Sequence, residues 1–138
     1  MKKIAVILSG CGHKDGAEIR EAVLTLLYID KNGASYQCFA PSIPLNTINH
    51  ISDAEGVARN VLEEAARIAR GDIKDLKDLK AEDFDALIMP GGFGAAKNLS
   101  NFYFKGAEAK VIPDLERVTK EFNSARKPIG AICISPAV

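Results

Sequence analysis

The chain has 138 residues, 47% hydrophobic and 26% charged, with 18 Lys+Arg balanced by 18 Asp+Glu. That length supports one core of two or three layers, and zero net charge removes the electrostatic case for binding nucleic acid or an anionic membrane. No apolar run approaches the roughly 20 residues of a membrane-spanning helix, and three cysteines make no disulfide framework and suit a reducing cytosol.

The first element is the apolar run KKIAVILS (2–9), a buried strand that turns at Ser-Gly-Cys-Gly. Its core, IAVIL, is shorter than the roughly 7–15 apolar residues of a secretion signal. Residues 16–32 carry Ile19, Val23, Leu26 and Leu27 at helical spacing and end at Gly33, a left-handed cap. ASYQCFAP (34–41) is a second strand stopped by proline, with Cys38 in its core, and 42–52 is a polar loop holding a solvent-facing His50. From Ser52 a helix is expected: Ser52 and Glu55 form a capping box, Val57, Val61, Leu62, Ala65, Ile68 and Ala69 form one apolar face, and Gly71 stops it. IKDLKDLKAEDF is irregular or a helical turn, and DALIMPGG (85–92) is a third strand entering a Pro-Gly-Gly turn. PDLERVTKEFNSARK (113–127) is a helix with Pro113 at its start and Leu115, Val118 and Phe122 facing inward; PIGAIC (128–133) is a fourth strand. Apolar strands alternating with amphipathic helices predict an α/β fold, a doubly wound parallel sheet in three α/β/α layers. Its sites belong at the carboxyl ends of the strands, in loops 9–16, 41–49, 90–98 and from Cys133 onward.

Cys133 stands where the fourth strand ends, with Ser135-Pro136 after it. Strand, nucleophile, then helix is the physical form of a nucleophile elbow, in which a sharp turn exposes the side chain. The stretch Ala131-Ile132-Cys133-Ile134-Ser135 matches G-x-S-x-G only loosely, so a buried cysteine acting as a small hydrophobe stays open. Pro90-Gly91-Gly92 can present unhindered backbone N–H groups as an oxyanion hole, or serve only the chain path. Gly10, Gly12 and Gly16 resemble a dinucleotide loop, but QCFAPS offers no acidic residue at the end of the second strand to hold a ribose. Cys11 and His13 have no second ligand pair and fall short of a zinc pattern. Glu18 and Glu21 lie in the first helical turns near the strand ends; either can face the cysteine, and Glu18 also suits a helix N-terminus.

Three segments, KKIAVILSGCGHKDGAEIREAVLTLL, MPGGFGAAKNLSNF and GAICISPA, together resemble the DJ-one/PfpI superfamily on the class I glutamine amidotransferase-like fold, and within it the ElbB branch of glyoxalases. The resemblance implies a flavodoxin-like, usually dimeric protein without a cofactor or metal. It assigns the nucleophile to Cys133 and the glutamate beside it to Glu21, with Glu18 second. It assigns the oxyanion hole to the N–H groups of Gly92 and Ile134, with Cys11 and Gly91 as site neighbours. The implied activity is conversion of glyoxal, or a related small dicarbonyl, to a hydroxy acid through a hemithioacetal on Cys133. The branch also implies a link to isoprenoid and lycopene biosynthesis.

Relatives of this kind continue past the elbow with a helix, further strands and often a histidine near the cysteine. The 138 residues are therefore expected to be a single domain incomplete at its C-terminus, inactive alone or needing a partner segment. A competing expectation is a non-enzymatic thiol sensor, in which Cys133 is oxidised and its sulfinate is held by Glu21. An amidotransferase subunit would need a downstream catalytic histidine, which this sequence does not supply.

Overall fold

The computed structural model describes residues Met1–Val138. Its strands are β1 (Lys3–Ile7), β2 (Ser35–Ala40), β3 (Pro44–Ile48), β4 (Glu55–Asn60), β5 (Ile73–Asp75), β6 (Ala86–Met89) and β7 (Ile129–Ala131). Its helices are α1 (Ile19–Lys31), α2 (Val61–Ala69), α3 (Phe93–Lys97), α4 (Phe102–Lys105) and α5 (Pro113–Ser124). Five strands form one sheet in the order β5-β2-β1-β6-β7, every neighbouring pair parallel.

Alternation along β1 divides the core. Ala5 and Ile7 point to one face, where they pack with Phe39, Leu87, Leu115, Val118 and Phe122 beneath α5. Val6 and Leu8 point to the other, against Ala22, Leu26 and Ile29 of α1 and Val61 and Ala65 of α2. Both faces are covered by helices, so the strands read as continuous apolar runs. The three-layer α/β expectation holds, and α5 begins at Pro113 as its sequence requires.

Three expectations need correction. The stretch from Ser52 does not open a helix. Asn49 instead accepts hydrogen bonds through Oδ1 from the N–H groups of Ile51 and Ser52, which makes a tight turn. Asp53 at φ 62° completes it, and β4 then pairs antiparallel with β3, which lies inside the expected polar loop. Val57 is exposed, and the helix starts only at Val61, where Asn60 Oδ1 accepts from the Glu63 N–H at 3.2 Å. The charged IKDLKDLKAEDF contains a short strand, β5, before two 3-10 turns at Leu76–Asp78 and Ala81–Asp83. On α1, burial falls on Ala22, Leu26 and Ile29, whereas Ile19, Val23 and Leu27 are exposed together with Leu24 and Tyr28.

The position of the α2 start is measurable. Asn60→Ala removes the N-cap acceptor and is expected to lower unfolding free energy by about 1 kcal/mol in urea titration. Ser52→Ala, outside any helix, is expected to stay within about 0.5 kcal/mol of the parent. Equal losses at both positions would contradict the hairpin.

Candidate active site

Strand order reverses between β1 and β6: the chain moves from β1 to β2 and β5 on one side, then to β6 and β7 on the other. Such a reversal opens a crevice at the carboxyl ends of the strands. Two loops meet there. Glu18 N–H donates to Gly91 O at 3.0 Å, Phe93 N–H to His13 O at 2.8 Å, and Gly94 N–H to Gly16 O at 2.9 Å. The buried Asn98 side chain donates through Nδ2 to Ser9 O and Asp15 O, both at 2.8 Å. No side chain fits between the loops: a Cβ on Gly92 would lie 2.4 Å from Glu18 N, and Gly92 sits at φ 97°.

Cys133 follows β7 and adopts φ 58°, a left-handed conformation that strains a residue with a Cβ by roughly 1–2 kcal/mol. Two contacts hold it: Ile132 N–H donates to Met89 O at 3.0 Å, and the buried Ser135 hydroxyl donates to Pro90 O at 2.9 Å. The turn leaves the thiol exposed. After it comes a single 3-10 turn, Ser135–Ala137, rather than a helix of useful length.

Glu21 reaches the same point from α1. Its Oε2 accepts from the Gly91 N–H at 2.8 Å, and a Cβ on Gly91 would lie 2.7 Å from both that oxygen and Cys133 Cβ. Glu18 is occupied otherwise: its Oε2 caps α1 by accepting from the Glu21 N–H at 2.7 Å. Cys133 and Glu21 line a cavity of about 260 Å³ with His13, Glu18, Gly92, Phe93 and Ile134. The N–H groups of Gly92 and Ile134 have no acceptor within the chain. An exposed thiol, a carboxyl group and two unengaged N–H donors around one small cavity can add sulfur to a carbonyl carbon, receive the developing oxyanion and move a proton.

Cys11 is not part of this cavity wall. Burial pushes its thiol up, opposed by Arg67, while Glu64 and Asp15 push it further up. Cys38 is wholly buried, and desolvation pushes its thiol up to about 12. His13 and Phe93 join the site from loops 9–16 and 90–98, which the strand-end rule placed here without singling out either side chain. No three His, Cys, Asp or Glu side chains cluster as metal ligands would.

A family model described as DJ-1/PfpI matches residues 14–138. The chain belongs to the DJ-1/PfpI family. It is 52% identical to the human glutamine amidotransferase-like class 1 domain-containing protein 3, mitochondrial, over 99% of this chain and 52% of that protein. It is 41% identical to the ES1 protein, mitochondrial, of Danio rerio, over 96% of this chain and 52% of that one. The chain thus spans about half the length of the curated relatives it matches. A crystal structure described as an isoprenoid biosynthesis protein with an amidotransferase-like domain, from Ehrlichia chaffeensis, superposes with a TM-score of 0.93 at 45% identity. That match covers 99% of this chain and 63% of the Ehrlichia one. The fold is thus the α/β fold of the DJ-1/PfpI family, with a parallel central sheet and flanking helices.

Thiol accessibility in this family member follows from burial. With iodoacetamide at mildly alkaline pH, Cys133 is expected to react first and Cys11 more slowly, with Cys38 reacting only in denaturant; peptide mass analysis over time reads the order. Gly91→Ala drives a Cβ against Ile132 O, at 2.8 Å, as well as against Cys133. It is expected to cost about 1–3 kcal/mol of stability and to slow Cys133 alkylation.

Proposed function

We propose that this chain carries the nucleophile of a cofactor-independent, glyoxalase-type enzyme that converts glyoxal or a related small dicarbonyl to a hydroxy acid. The observation that carries the reading is Cys133 at φ 58°, exposed, with the Glu21 carboxyl beside it across Gly91. In this reading Cys133 Sγ adds to an aldehyde carbon, the carbonyl π pair moves to oxygen, and the N–H groups of Gly92 and Ile134 receive it. The oxygen takes a proton to give a hemithioacetal. Glu21 then removes the proton on the sulfur-bearing carbon and a proton is delivered to the neighbouring carbon, so that one carbon is oxidised and the other reduced. Water cleaves the resulting thioester. Glyoxal plus water becomes glycolic acid, with no external oxidant or reductant.

Assignment to the ElbB branch and the isoprenoid link belong to this proposal, supported by the likeness to the Ehrlichia chaffeensis protein. So do the homodimer and a reducing compartment, either the cytosol or the mitochondrion that the relatives' names carry. The exposure of Cys133 also favours a second reading, a peroxide-sensing thiol.

Glycolate release from glyoxal, measured on this chain and on a form extended to the length of its relatives, tests the two. Cys133→Ser is expected to abolish it, and Glu21→Gln to lower kcat by about 10²–10⁴-fold, the usual weight of a general acid–base group. Absence of glycolate, combined with peroxide oxidising Cys133 ahead of Cys11, would replace the enzyme by the sensor.

A further inference from the structure

The cavity at Cys133 has a neighbour. His13 and Phe93 wall both it and a second cavity of about 310 Å³, whose other lining residues include Lys14, Asp53, Lys97 and Tyr103. The two cavities adjoin at His13 and Phe93, and the groups around them differ in charge. At the Cys133 end stand two carboxyl groups, Glu18 and Glu21. At the far end Lys14 is engaged: its ammonium pairs with Asp53 and donates to His50 O at 3.1 Å. His50 is committed too, since its Nε2 accepts from the Lys14 N–H at 3.2 Å and its Nδ1 faces Ile48 O at 2.9 Å.

Lys97 is different. Its ammonium donates to Lys14 O at 2.9 Å and lies 4.4 Å from the Tyr103 ring centroid, with the Phe93 ring at 5.7 Å. No carboxylate comes within ion-pair distance of it. An ammonium has three donors, so Lys97 holds hydrogen-bonding capacity in reserve, on a half-buried side chain whose position the two rings and the Lys14 carbonyl restrict. A lysine in this setting is a ready anion site whose partner is absent from the chain.

We propose that Lys97 receives the carboxylate of the substrate, so that the carbonyl compound processed at Cys133 is an acidic 2-oxoaldehyde, with its aldehyde at one end of the groove and its carboxylate at the other. The inference rests on carbonyl addition at Cys133 and specifies the class of molecule that enters. Charge sets the orientation: Glu18 and Glu21 repel a carboxylate from the thiol end, and Lys97 attracts it to the other. It also sets the valence. With Lys14 neutralised by Asp53, one free cation suits a carboxylate monoanion, whereas a phosphate dianion would meet Asp53 without a second free cation to offset it.

The test reads occupancy of the groove, which needs no turnover. Cys133 alkylation by iodoacetamide is followed by peptide mass analysis in the presence of straight-chain aldehydes of two to five carbons. Each is compared with its ω-carboxylated counterpart, such as butanal against succinic semialdehyde. At least one carboxylated member is expected to protect Cys133 at about tenfold lower concentration than its neutral match. Lys97→Met is expected to collapse that ratio to within about twofold, and Lys97→Arg to retain most of it. Raising salt on the unsubstituted protein should shrink the ratio as well, a readout that survives if Lys97→Met does not fold. Equal protection by charged and neutral aldehydes, or a ratio indifferent to both Lys97→Met and salt, would overturn the proposal. A carboxylated 2-oxoaldehyde that protects Cys133 without giving a hydroxy acid would overturn the glyoxalase reading while leaving the carboxylate site standing.

Discussion

Gly16 and Gly94 bring the loop after β1 and the start of α3 into backbone contact, so close that a Cβ on Gly94 would fall 2.4 Å from Gly16 Cα. The placement of the α1 and Pro-Gly-Gly sides of the site depends on that approach. It lets Gly94 and Phe93 donate to main-chain carbonyls across the gap and lets Asn98 reach two more. It also sets the first turn of α1 beside the Pro-Gly-Gly turn, and so allows Glu21 to accept from the Gly91 N–H. Direct backbone contact is rigid because it contains no rotamers to exchange. The thiol is thus flanked by groups fixed through main-chain bonds.

Charge is divided in a similar way. Glu18 commits its carboxylate to the end of its own helix, which leaves Glu21, one turn on, as the carboxyl group directed at the cavity floor. The two lie one turn apart, so the Glu18 carboxylate reaches the Glu21 N–H while the Glu21 carboxyl group reaches Gly91. Lys14 and Lys97 show the same division, one engaged by Asp53 and the other resting against aromatic rings. In each pair one member builds structure and the other keeps its chemistry available.

Much of this is legible in the sequence where a physical signal is local. β1, β2 and β6 are apolar runs because helices cover both faces of the sheet, β7 is a short apolar run although only partly buried at the edge, and Pro113 marks α5. Cys133 stands out because a strand ends at it. The β3–β4 hairpin is illegible: its second strand is almost wholly exposed, so burial imposes no alternation on it. Ser52 and Glu55 then imitate a capping box that the Asn49 turn preempts. The face of α1 is misleading because small Ala22 fits against the sheet where larger neighbours do not, and that choice is made by packing rather than by hydrophobicity. His13, Phe93 and Lys97 come together only through contacts between residues some 80 positions apart in the chain, as in the Lys97–Lys14 bond, which no window of sequence displays.

β7 is a three-residue strand at the edge of the sheet, paired only with β6. Its docking delivers Cys133 to a crevice whose other walls come from the loops after β1 and β6. A folding chain can complete the β1–β2 and β1–β6 pairings while its cysteine is still an ordinary, unstrained thiol. Reactivity of the kind described here arises only when β7 pairs with β6, Leu87 against Ile129, and carries Cys133 into place. Chemical competence at Cys133 therefore reports that β7 has docked, and a chain in which β7 is detached carries only an ordinary thiol.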